Sequence, residues 1–120
     1  MNKVLILIIG FFVLALSMFI LMPHEESEIK EESNIILFYS EYCSHCLAVK
    51  EYIQENKIED KISFETKDAN QNTELLFEKA SICGIDPNHV GVPFLFDGEK
   101  CILGDEDIID FFESKINLFK

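Results

Sequence analysis

Residues 4–22 form a run of nineteen without a charged side chain, and no polar position recurs to give the run a second face. At about 1.5 Å per helical residue, this length is close to the roughly 20 residues that cross a bilayer core. Lys3 is the only charged side chain before the run, and the stretch after Pro23, His-Glu-Glu-Ser-Glu-Ile-Lys-Glu-Glu-Ser, is acidic. The asymmetry predicts a single-pass transmembrane anchor over residues 1–22, with the N-terminus cytoplasmic and the rest of the chain extracytoplasmic. A cleavable signal peptide is the competing reading. Against it, the run exceeds the usual apolar core of such peptides, and its end, Phe19-Ile20-Leu21-Met22, is bulky where cleavage requires small residues. Residues 23–33 read as an acidic linker, and residues 34–120 as one folded domain.

Within that domain the pattern changes type repeatedly. Residues 34–39 are a continuous apolar run, as for a strand covered on both faces. Residues 46–56 carry Leu47, Val49 and Ile53 near helical spacing. Residues 61–66 (Lys-Ile-Ser-Phe-Glu-Thr) alternate and predict a second strand. Residues 72–82 predict an amphipathic helix, capped by Asn72 or Thr73 and ended by Cys83-Gly84, since glycine suits the left-handed position after a helix. Residues 92–96 predict a third strand, Asp97-Gly98 a hairpin turn, and residues 99–103 a fourth strand antiparallel to the third. Gly104 ends it, and residues 105–116 predict a last helix with Ile108, Ile109, Phe111, Phe112 and Ile116 on its buried face. The order is β-α-β-α-β-β-α. A βαβ unit gives a parallel pair, the hairpin adds antiparallel strands, and the fold class is α/β with a four-stranded mixed sheet.

Charge narrows the partners. Ten basic residues, all lysine, stand against 22 acidic ones, for a net charge of −12. Only Lys3 among the basic residues precedes Pro23. Nucleic acid is excluded as a partner, because binding it rests on neutralising phosphates. No oligomerisation signal stands out, so a monomer is expected.

The candidate chemistry lies in Cys43-Ser44-His45-Cys46, between the first strand and the first helix of the domain. This places Cys43 at or just before a helix N-terminus and Cys46 one turn on. Unpaired N–H groups and the helix dipole favour a thiolate there, and the thiolate is the species that attacks disulfides. A His beside the second cysteine can stabilise that thiolate by charge and hydrogen bonding, and the Ser44-His45 pair would tune the redox potential. Zinc or copper binding is the rival use of the cysteines, but Cys83 and Cys101 lie too far apart in sequence to complete a site of two close pairs. In an extracytoplasmic domain, four cysteines also favour pairing, so Cys83 and Cys101 are either a second disulfide or two small buried apolar side chains. His89 and Tyr42 are flanking residues, with Tyr42 expected to be exposed and in contact with substrate.

The C-x-x-C after the first strand, Val92-Pro93 opening the third, and the element order together resemble the thioredoxin superfamily. The length and the Gly104-Asp105-Glu106-Asp107 helix start are more similar to glutaredoxin. The resemblance covers residues 34–120, and it implies a membrane-anchored thiol–disulfide oxidoreductase acting on protein disulfides or dithiols, with a redox-active disulfide and no bound cofactor. Cys43 would be the nucleophile and Cys46 the resolving cysteine. Val92-Pro93 would be a cis peptide bond packed against the pair, Val92 offering backbone groups to an extended substrate. Gly104 and Asp105 resemble part of a glutathione site. Two positions depart from the family. Leu37 stands where thioredoxins bury an aspartate, and Glu41 stands near where glutaredoxins carry a lysine. Glu41 would repel the carboxylates of glutathione, which argues against that cosubstrate. A membrane redox partner, oxidase or reductase, is compatible with the anchor. A non-catalytic thiol module on the same fold, either a metal chaperone or a protein-binding domain, is the alternative function.

Overall fold

The computed structural model describes residues 2–20 and 34–120. The first element, α1 (Lys3–Ile20), is an eighteen-residue helix whose apolar side chains, among them Leu7, Phe11, Phe12 and Leu14, are exposed. Eighteen residues rise about 27 Å, short of a hydrocarbon core of about 30 Å. No helix among the described residues is long and apolar enough to cross a membrane. This overturns the expected transmembrane helix, the membrane-anchored family reading built on it, and the single-pass, extracytoplasmic placement of the domain. The sequence count of nineteen included Leu21 and Met22, which lie outside the described residues, as does the proposed linker over residues 23–33.

The domain follows the expected order: β1 (Ile36–Tyr39), α2 (Ser44–Glu55), β2 (Glu65–Asp68), α3 (Thr73–Ile82), β3 (Phe94–Phe96), β4 (Cys101–Leu103) and α4 (Asp105–Leu118). The sheet order is β2-β1-β3-β4, with β1 parallel to β2 and both β1–β3 and β3–β4 antiparallel. This is the thioredoxin-like four-stranded mixed sheet, and β1 lies in its interior.

Strand alternation sorts the core into two layers. Leu37 and Leu95 point to one face, where they join Val49 and Ile53 of α2 and Ile108 and Phe112 of α4. Phe38, Phe94 and Phe96 point to the other, against Leu76 and Ala80 of α3. A continuous apolar β1 is therefore required, since both of its faces are covered. Phe38 and Phe94 meet edge to face with ring centroids 5.8 Å apart, a geometry worth about 0.5–1.5 kcal/mol beyond the area buried.

Two boundaries bear on the sequence reading in opposite ways: the start of β2 departs from it, and the end of α3 at Cys83-Gly84 agrees with it. The second strand begins at Glu65, not at residue 61, because a 3-10 turn at Ile58–Asp60 engages the preceding backbone: Lys61 and Ile62 both donate to the Ile58 carbonyl. Ile62 and Phe64 still reach the core, so the alternation is real but belongs to a loop entering a strand. The end of α3 is a Schellman motif. Ile85 N–H bonds Ala80 O at 3.0 Å, Gly84 N–H bonds Ser81 O at 3.0 Å, and Gly84 adopts φ +71°. That reversal aims the chain back toward β3 and its leading residues, Val92-Pro93.

Candidate functional site

Strand β1 ends at Tyr39, and the chain turns so that Cys43 N–H bonds the Ser40 carbonyl at 3.3 Å. Cys43 is the N-cap of α2. Its backbone is extended, and its Sγ accepts the Cys46 N–H at 3.2 Å. Serine, threonine, aspartate and asparagine usually satisfy that otherwise unpaired helix donor; here a sulfur does. The helix thus starts at Ser44, two residues earlier than the apolar spacing predicts, because the cap and not the apolar stripe defines its beginning.

Cys43 is half-buried and Cys46 is 5% exposed; both are free thiols. Burial pushes the Cys46 thiol up to about 12, and the adjoining Cys43 sulfur adds to the shift. Cys46 is thus held as a neutral thiol, while Cys43 has an open side and receives an N–H.

The loop before β3 approaches from the opposite direction. The Val92–Pro93 peptide bond is cis, and the Cys43 thiol donates to the Val92 carbonyl at 3.5 Å. Pro93 is buried, and its carbonyl accepts the Gly104 N–H at 3.2 Å, tying this loop to the start of α4. Gly104 precedes that helix with φ +89°, a conformation that disfavours side chains. Asp86 fastens the upstream part of the loop by accepting the Asn88 N–H and pairing with His89 at 2.9 Å. Its carboxyl is held below the usual range, first by that N–H and then by His89.

The structure therefore brings Cys43, Cys46, Val92, Pro93 and Gly104 together through direct bonds or sequence adjacency. Asp105 joins them by a route that the sequence did not signal: His45 Nδ1 lies 3.1 Å from its Oδ1. That contact holds the Asp105 carboxyl below its ordinary range. Ser44 is exposed, and Tyr42 is 95% exposed, beside Cys43. A cleft of about 390 Å³ opens at the two thiols, lined among others by Leu37, Glu41, Lys50, Glu59 and Thr66. Leu37 is buried and supplies no proton acceptor to Cys46. Lys50, one turn beyond Cys46 on α2, was missed in the sequence; its i+4 spacing from Cys46 was the available signal.

Cys83 and Cys101 are joined by a disulfide, with Cα atoms 6.1 Å apart. The bridge links the end of α3 to β4 and packs in the α3-side core layer, so it belongs to the opposite face of the sheet from α2. Among the described residues, no group of three or more His, Cys, Asp and Glu side chains is arranged to hold a metal ion.

No family model matches the sequence, and no curated protein matches it. Among solved structures, the chain is similar to the oxidised thioredoxin from Plasmodium falciparum, at 22% identity over 67% of this chain and 77% of that one, with a TM-score of 0.45. Two free thiols a helical turn apart, one half-buried and one buried, on a thioredoxin-like sheet, support a thiol-based redox function.

Proposed function

We propose that the domain is a thiol–disulfide oxidoreductase acting on protein disulfides or dithiols, with Cys43 as nucleophile and Cys46 as resolving thiol. The observation that carries this reading is the unequal environment of the two sulfurs. Cys43 caps α2, takes the Cys46 N–H and has an open side; Cys46 is buried and kept protonated. Negative charge developing on Cys43 is met by a fixed N–H and by the positive end of the helix, while Cys46 does not compete for substrate.

In the reductive direction, the Cys43 thiolate attacks one sulfur of a substrate disulfide. A Cys43–substrate bond forms, and the other substrate sulfur leaves as a thiolate. Cys46 then loses its proton and attacks the Cys43 sulfur. The intramolecular disulfide forms, the second substrate thiolate leaves, and the substrate has gained two electrons. Run backwards, the same steps oxidise a substrate dithiol. The Val92 carbonyl lies where it can accept an N–H from an extended substrate once Cys43 has given up its proton. The cleft at Cys46 is a route by which water can take the proton that Leu37 cannot.

Insulin reduction and dithiol oxidation, each with Cys43→Ala as control, test the reading. Wild-type activity in the variant, in both directions, would overturn it. The equilibrium potential of the pair then gives the direction: a value near about −120 mV marks an oxidase and one near about −270 mV a reductase.

A further inference from the structure

His45 occupies one of the two positions between the cysteines. Its imidazole is engaged by a group sixty residues away, the Asp105 carboxylate in the first turn of α4, at 3.1 Å. Asp105 in turn is fixed by the Gly104–Pro93 hydrogen bond that ties α4 to the cis-proline loop. The carboxylate is only 28% exposed, while the ring is 70% exposed, so the rigid partner is Asp105 and the movable one is His45.

We propose that Asp105 is a positioning residue for the redox pair: it holds the His45 ring toward α4 and sets a negative charge beside it, and so limits how strongly the reduced form is stabilised. The inference rests on Cys43 and Cys46 cycling between dithiol and disulfide. The disulfide takes up two electrons and one proton to give a Cys43 thiolate and a Cys46 thiol. Positive charge left uncompensated near Cys43 favours that product and makes the disulfide more oxidising. Without the carboxylate, a fixed negative charge beside the site is lost, and the ring is unpaired and free to turn toward the sulfur. Because the pair is partly solvated, the effect is a few-fold in equilibrium constant and not orders of magnitude.

The test equilibrates the full chain in buffers of reduced and oxidised dithiothreitol, alkylates the free thiols, and counts the peptide carrying Cys43 and Cys46 by mass. The readout needs no protein substrate, so it stands even if insulin reduction fails. Asp105→Ala is expected to shift the equilibrium about three- to tenfold toward the reduced pair, equivalent to about 14–30 mV. Asp105→Asn, which keeps the side-chain shape at the helix start, is expected to shift it the same way. In a His45→Ala background the Asp105→Ala shift should fall to less than half. No shift in either Asp105 variant, a shift toward the oxidised pair, or an equal shift with and without His45 would overturn the proposal.

Discussion

Cys43 opens α2 and Cys83 closes α3, and the two helix ends have opposite electrostatics. At the first, a sulfur faces unpaired N–H groups and receives one of them. At the second, Cys83 follows the last carbonyls of its helix, where negative charge is disfavoured. The partners differ as well. Cys46 is three residues on and buried; Cys101 is eighteen residues on, in a different element, and already bonded. The pairs also lie on different faces of the sheet, α2 covering one and the bridge packed into the other. One chain thus carries a thiol pair arranged to change state and another arranged to hold elements together. Position relative to a helix terminus separates them better than the number of residues between them.

The sharpest break between the pairs is catalytic. Cys43→Ser should lower disulfide exchange on the order of 10³-fold or more in the insulin assay, because the remaining free thiol, Cys46, is buried and held protonated. Cys83→Ser with Cys101→Ser should leave the same rate within about threefold; an equal loss would erase the distinction.

Stability should invert the ranking. Removing the Cys83–Cys101 bridge, of sequence separation 18, should cost about 3 kcal/mol in denaturant unfolding, the chain-entropy value for such a loop. Cys43→Ser should change stability by less than about 1 kcal/mol, since serine can take over the cap.

pH offers a third contrast. The Cys46 thiol is raised in the fold from an ordinary 9.0 to about 12. The unfolded thiol therefore ionises first as pH rises, and the stabilisation is whole below pH 9 and lost between 9 and 12. At pH 10 the reduced protein should be less stable than at pH 7 by about 1 kcal/mol more than its Cys46→Ser variant is. Parallel pH profiles for the two proteins would show that Cys46 is not so buried. Smallest of all, Tyr42→Ala should alter stability by less than about 0.5 kcal/mol, since the ring is almost wholly in solvent. A slower rate on protein substrates with an unchanged dithiothreitol equilibrium would mark Tyr42 as a substrate contact.

Much of this arrangement is legible in the chain because several rules agree. The apolar β1, the Asp97-Gly98 turn and the Gly104-Asp105 helix start each fix an element boundary by local chemistry, and β4 and α4 follow from them. The β2 boundary was not legible, because Ile62 and Phe64 bury themselves from a turn as well as from a strand. Nor was the His45–Asp105 contact, which joins two helix starts sixty residues apart and leaves no local trace. The apolar run before Pro23 suggested a membrane span by its composition, whereas no helix among the described residues is long and apolar enough to cross a membrane.

Both margins of the sheet are poor templates for another chain. At one margin, β2 is Glu-Thr-Lys-Asp, with its Glu65 and Lys67 side chains paired to each other at 3.0 Å. At the other, β4 is only three residues long and is tied by Cys101 to α3. Charged and short edges resist strand-by-strand aggregation. They also leave an incoming extended peptide few backbone groups to recognise. The carbonyl of Val92 lies away from either margin and beside the Cys43 sulfur, so a peptide that pairs there, as proposed, would bind without using a sheet edge.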